Sequence, residues 1–176
     1  MITVQVNSLV GPRRDPVTGA AKAWHNGTDY GMPSGTPIMA VEAGKIIGVW
    51  LNDPLNGTAL VIDHRPGLPL LSSYVHLSGI RLPDGSILNG AVPAAHAQQL
   101  VDTLVKGRSV GRAEMIGLSG GKPGEWGAGK SIGPHLHLRL KEWNGKAWVD
   151  VESVDRIDWT GVNLQRRDHG PARSTP

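Results

Sequence analysis

A chain of 176 residues, 39% of them apolar, is long enough for one domain with its own core, and this apolar content argues against disorder. With no cysteine, disulfides and thiolate ligands are excluded, so any metal site must be built from histidine and carboxylate. The net charge of +3 gives a mildly basic surface suited to an anionic polymer, and no window is apolar enough for membrane insertion as a helix.

The 24 glycines and 13 prolines favour short punctuated strands, and the absence of Phe leaves Trp, Leu, Ile and Val as the large groups available to a core. Residues 1–6 alternate like a strand and lack a charged leader before an apolar stretch, so no signal peptide is expected. Residues 11–19 are dense in turn formers and read as a loop leading into His25. Residues 37–50 read as two β segments around Glu42 to Gly44, and residues 58–64 and 70–76 as further strands. From Ala94 to Lys106 the pattern changes. Ala97, Leu100, Val101, Leu104 and Val105 recur at helical spacing, with Pro93 near the start and Gly107 just past the end. Asn144-Gly145 between two alternating segments signals a hairpin with a type I′ turn. One domain over residues 1–160 is expected, followed by a loosely held tail at 161–176.

Asp29 follows His25 at i+4, and later in the chain His135 and His137 stand in i, i+2 register. In a strand, residues two apart share a face. Catalytic zinc sites use three N or O ligands and keep a fourth position open. His25, Asp29 and one histidine of the pair would supply that set and leave the other histidine free for chemistry. A lone histidine on a strand is more often packed or solvated than functional, and the argument rests on the set. By the same reasoning His64 reads as a strand-end residue, His96 as solvated and His169 as a tail residue without a role. Residues 124–131 formally satisfy the phosphate-binding pattern G-x4-G-K-[ST]. A true P-loop opens a helix. Here Ser131 is followed by Ile132-Gly133-Pro134 and an alternating strand, so a loop at the rim of a cleft is expected, and neither nucleotide nor nucleic acid as partner.

With these residues placed, the chain resembles the lysostaphin-type (LytM-like) zinc metallopeptidases over residues 11–152. His25-x-Gly27-x-Asp29, Tyr74-x-His76-Leu77 and Gly133-Pro134-His135-x-His137 are similar to three ordered motifs of that family. The resemblance implies a mostly β fold, the antiparallel sheet or sandwich core of that family (a barrel-sandwich hybrid), with one inserted helix near 94–106. It implies His25, Asp29 and His137 as ligands of one Zn2+ per chain, and His135 and His76 as catalytic groups. The implied reaction is hydrolysis of peptide bonds in bacterial peptidoglycan cross-links or stem peptides, at the bacterial cell wall. One departure stands out. The family often has a tyrosine just upstream of the first histidine, and residues 18–24 have none, leaving that role unfilled or to Arg14 or a histidine. The helix would wall the substrate groove, dock a partner or simply cover an open sheet face. A non-catalytic wall-binding or assembly module with the same fold is the alternative. Residues 40–47 also faintly resemble the hairpin of biotinyl or lipoyl carriers. The expected setting is a phage lysin or virion tail component, with virion or tail proteins as further partners, or else a secreted or periplasmic enzyme with its signal trimmed.

Overall fold

The computed structural model describes residues 2–15, 18–21, 23–159 and 162–166. Short strands dominate, as the glycine and proline content predicts. They run β1 (Ile2–Ser8), β2 (Gly11–Arg13), β3 (Ala23–His25), β4 (Thr28–Gly31), β5 (Pro37–Met39), β6 (Gly44–Asp53), β7 (Gly57–Asp63) and β8 (Leu70–Val75). After them come β9 (Leu77–Arg81), β10 (Ile87–Leu88), helix α1 (Ala94–Leu100), β11 (Ser109–Val110), β12 (Met115–Ser119), β13 (His135–Trp143), β14 (Trp148–Val151) and β15 (Val162–Arg166).

A nine-stranded sheet runs β11-β6-β7-β8-β13-β4-β1-β15, with β14 added on β13, and a four-stranded sheet runs β10-β9-β12-β5. Strands β2 and β3 form a separate ribbon. Pairing is antiparallel except for β15, which lies parallel to β1. Ile46, Leu60, Ile62 and Leu138 of the large sheet and Ile80, Leu88 and Ile116 of the small one share a single buried cluster. The largest fully buried side chains are Tyr30 and Tyr74 rather than tryptophans, and Trp24, Trp50 and Trp143 are exposed. Each phenol is satisfied where it lies: Tyr30 bonds Ser153 Oγ at 2.6 Å, and Tyr74 accepts from Val41 N at 2.8 Å. That removes the usual objection to burying a hydroxyl.

Four local expectations are revised. Part of the predicted 11–19 loop is strand, because Gly11–Arg13 pairs with Ala23–His25. The β13–β14 hairpin forms, but positive φ falls on Gly145 and not on Asn144, so the turn is not type I′. Instead the Asn144 side chain accepts from the backbone N–H groups of Lys146 and Ala147. The helix begins at Ala94 as predicted, then widens into a π turn over Val101–Val105. Ala97, Val101 and Val105 are buried in the core cluster, whereas Leu104 is 44% exposed. The wider turn spreads the apolar stripe that a uniform period of 3.6 would have kept narrow. Part of the expected tail, Val162–Arg166, is strand; residues 167–176, His169 among them, lie outside the described residues.

Candidate metal centre

Alternation along β13 sets the site. Leu136, Leu138 and Leu140 are 6%, 3% and 1% exposed and enter the core, so His135 and His137 share the opposite face. On β4 the register places Asp29 directly across from His137, and Thr28 across from Leu138. Directly opposed residues of an antiparallel pair share a face. His25 ends β3, and Gly27 lies between it and Asp29. A Cβ on Gly27 would sit 2.6 Å from His137 Nε2 and 2.8 Å from the Leu138 carbonyl. Glycine is therefore what allows the His25–Asp29 segment to close over the histidine of β13.

His25 Nε2 lies 3.2 Å from Asp29 Oδ1 and 3.1 Å from His137 Nδ1, and His137 Nδ1 lies 2.8 Å from Asp29 Oδ1. The other nitrogen of each ring is already engaged. His25 Nδ1 donates to the Leu9 carbonyl at 2.8 Å, and His137 Nε2 to Asn26 Oδ1 at 3.2 Å. Because those oxygens accept, the protons belong on those nitrogens, and lone pairs face one another at the centre. Three lone-pair atoms this close repel unless a cation lies among them. Bonds of about 2.0–2.2 Å in a tetrahedral array separate ligand atoms by roughly 3.3–3.6 Å, close to the spacing here. Among the described residues His25, Asp29 and His137 are the group that could hold a metal.

Two more imidazoles border this group. The ring of His135 lies 4.9 Å from that of His76, which is 6.2 Å from that of His137. His135 Nε2 stands 3.5 Å from Asp29 Oδ1. His76 follows β8, where strict alternation would aim it with Tyr74 into the core. Its backbone instead adopts φ +64°, and this left-handed residue turns the ring towards the other histidines. Burial, reinforced by His135 and His137, pushes the His76 imidazolium down to about 4, so the ring is neutral at neutral pH. Its Nδ1 is buried without a hydrogen-bond partner. His137 is likewise lowered, chiefly by burial. Burial alone would raise Asp29, but its close neighbours His137 and His25 outweigh it and hold the carboxyl far below the usual range.

Arg13, which no local sequence pattern singles out, donates from Nη1 to Asp29 Oδ2 at 3.0 Å. Arg14, the residue considered there, is exposed and bonds the Gly19 carbonyl at 3.4 Å. The β2–β3 ribbon decides between the two neighbours, and alternation in so short a strand leaves no trace in composition. His64 is buried against the Ala43 carbonyl and Ser72 Oγ, and His96 is exposed. No helix follows residues 124–131, so that segment is a loop beside the site.

The profile of Peptidase family M23 matches residues 23–92, which include His25, Asp29 and His76. Over 137 residues the chain is 34% identical to peptidoglycan DD-endopeptidase ShyA of Vibrio cholerae serotype O1, an alignment covering 77% of this chain and 24% of ShyA. This chain carries a peptidase family M23 domain. It spans about a quarter of the length of the curated M23 relatives it matches. A zinc containing peptidase from Vibrio cholerae has a similar structure, with 27% identity and a TM-score of 0.53 over 84% of this chain and 36% of that one. The catalytic domain of lysostaphin from Staphylococcus simulans shares the M23 fold at 23% identity, with a TM-score of 0.53 over 81% of this chain and 85% of that one.

Proposed function

We propose that this M23 domain is a zinc-dependent metalloendopeptidase that hydrolyses peptide bonds in bacterial peptidoglycan cross-links or stem peptides. His25, Asp29 and His137 would hold one zinc ion. His135 and His76 would act on the substrate. The observation that carries this reading is the convergence of His25 Nε2, Asp29 Oδ1 and His137 Nδ1 within 3.2 Å, with two further imidazoles alongside. The relatives described as peptidoglycan endopeptidases support the substrate class.

Bound zinc would polarise the scissile carbonyl and acidify a water molecule. His135 keeps its proton on Nδ1, which donates to the Gly133 carbonyl at 2.8 Å, so Nε2 presents a lone pair to the site. It can accept a proton from the attacking water and pass it to the leaving amine. His76, neutral and with its ring 4.9 Å from that of His135, is placed to stabilise the developing oxyanion. That assigns to His76 the role the missing upstream tyrosine leaves open. Arg13 neutralises the outer oxygen of Asp29 and fixes its rotamer.

A non-catalytic wall-binding or assembly module is disfavoured by the complete donor set and both flanking histidines. A phage lysin or virion tail component is the setting the sequence reading suggests, and the positive charge suits an anionic wall in either setting. The test is zinc content by mass spectrometry together with digestion of purified peptidoglycans of differing cross-bridge. The expected result is one zinc per chain and new peptide termini that His135→Ala fails to produce. A zinc-free protein, or cleavage unchanged in His135→Ala, would overturn the reading.

A further inference from the structure

The segment 124–131, with its phosphate-loop spacing, has a different use in this fold. Gly127 has φ +80°, and a Cβ there would sit 2.0 Å from the Leu77 carbonyl, the residue after His76. Gly127 N donates to Asn52 Oδ1 at 3.0 Å, and Thr58 N donates to the Gly127 carbonyl at 3.0 Å. Lys130 N donates to the Leu55 carbonyl at 3.0 Å. The glycine spacing thus serves close packing against the β6–β7 turn and the start of β9. One residue of the pattern, Ser131, is left with a side chain that turns back towards the site.

Ser131 Oγ lies 3.2 Å from His135 Nδ1 and donates to the Gly133 carbonyl at 2.8 Å. That same carbonyl accepts from His135 Nδ1 at 2.8 Å. The stretch that carries it is weakly held: Ile132 is 64% exposed, and a Cβ built on Gly133 would meet nothing within 4 Å. Gly133 N in turn donates to Ser131 Oγ at 3.3 Å. The Ser131 hydroxyl is therefore both a second acceptor for the His135 Nδ1 proton and the clamp on its first acceptor. We propose that Ser131 is a positioning residue for His135, holding the imidazole in the Nδ1–H tautomer with Nε2 aimed into the site. This rests on the proposed catalytic role of His135.

The test compares wild type with Ser131→Ala, Ser131→Thr and Lys130→Ala. Zinc content, melting temperature and steady-state kinetics on a soluble cross-linked muropeptide dimer are measured, with long-range 1H–15N spectra of the histidines in zinc-free protein. Misplacement of a reacting group by an ångström can cost about 100-fold, and loosening one of two anchors is expected to lower kcat on the order of 10-fold. In Ser131→Ala, KM, zinc content and melting temperature should stay near wild type while the His135 ring moves to a mixture of tautomers. Ser131→Thr should restore both kcat and the tautomer, and Lys130→Ala should match wild type throughout. An unchanged tautomer in Ser131→Ala, or a shifted tautomer with full kcat, overturns the proposal. Should wild type cleave no muropeptide, or His135→Ala cleave as well as wild type, it is the functional reading that fails. The spectra then still report whether Ser131 holds the ring.

Discussion

Asp29 and His137 are register partners across β4 and β13, and Asp29 Oδ1 lies 2.8 Å from His137 Nδ1. The register is pinned from the other face, where Leu136 and Leu138 are buried opposite Tyr30 and Thr28. A slip by one residue would exchange the leucines for the histidines, so core packing and site assembly are the same constraint. Asp29→Asn and His137→Ala should each lose most of the bound zinc, read by mass spectrometry after dialysis, while His135→Ala keeps it. Retention of full zinc in both ligand variants would refute the assignment of ligands.

Gly27→Ala tests the close approach between the His25–Asp29 segment and β13. Its Cβ would meet both His137 Nε2 and the Leu138 carbonyl at under 3 Å, and backbone cannot swing aside as a surface side chain can. The ring must move off Asn26 Oδ1, its second hydrogen-bond partner. Loss of such outer partners typically costs about 10–100-fold in metal affinity. Overpacking of this kind costs about 1–3 kcal/mol. A competition titration with a zinc chelator and a urea melt check the two effects. Wild-type values in both would show that the contact is easily relieved.

The zinc-free protein should lose stability as pH falls from about 6.5 towards 4. His76 is held neutral in the fold down to about 4, whereas in the unfolded chain it protonates near the ordinary value of 6.5. In that window the unfolded state binds the extra proton, so stability rises with pH, by about 3 kcal/mol over the full shift for this group alone. His137 is shifted in the same direction and adds to the slope. Urea unfolding at several pH values should show a shallower slope in His76→Asn than in wild type. Asparagine tolerates the left-handed backbone at φ +64°, so this variant should fold while losing most turnover.

Most of the site could be read in the sequence because its chemistry rides on regular alternation. His135-Leu136-His137-Leu138 can satisfy a buried face only with both histidines on the other, and the glycine of His25-x-Gly27-x-Asp29 marks the close approach. His76 was harder, because a single positive φ moves it off the face its position in the strand implies, and backbone conformation at one non-glycine residue leaves no pattern. Arg13 and Ser131 were invisible for a related reason: each acts through a tertiary contact that no local period encodes. The tyrosine core was missed because phenol burial depends on partners, Ser153 and Val41, far away in the chain.

The helix offers a last test, and the structure narrows its three sequence readings. Ala97, Val101 and Val105 are 2%, 1% and 0% exposed and belong to the core cluster, so this face covers the sheet. Leu104, on the same predicted stripe, is 44% exposed and contributes little to that cover. Truncating a buried aliphatic side chain here should cost about 1.5–3 kcal/mol, whereas a surface change stays within about 0.5 kcal/mol. Val101→Ala should therefore shift the urea midpoint well below that of Leu104→Ser, with zinc content unchanged in both. The entrance to the helix also touches the site loop: a Cβ on Gly90 would lie 2.8 Å from the Trp126 side chain, next to Gly127. Gly90→Ala should consequently lower turnover more than it lowers stability, because it pushes on the loop that packs beside His76. If Gly90→Ala loses stability and turnover in equal measure, the helix serves as cover alone.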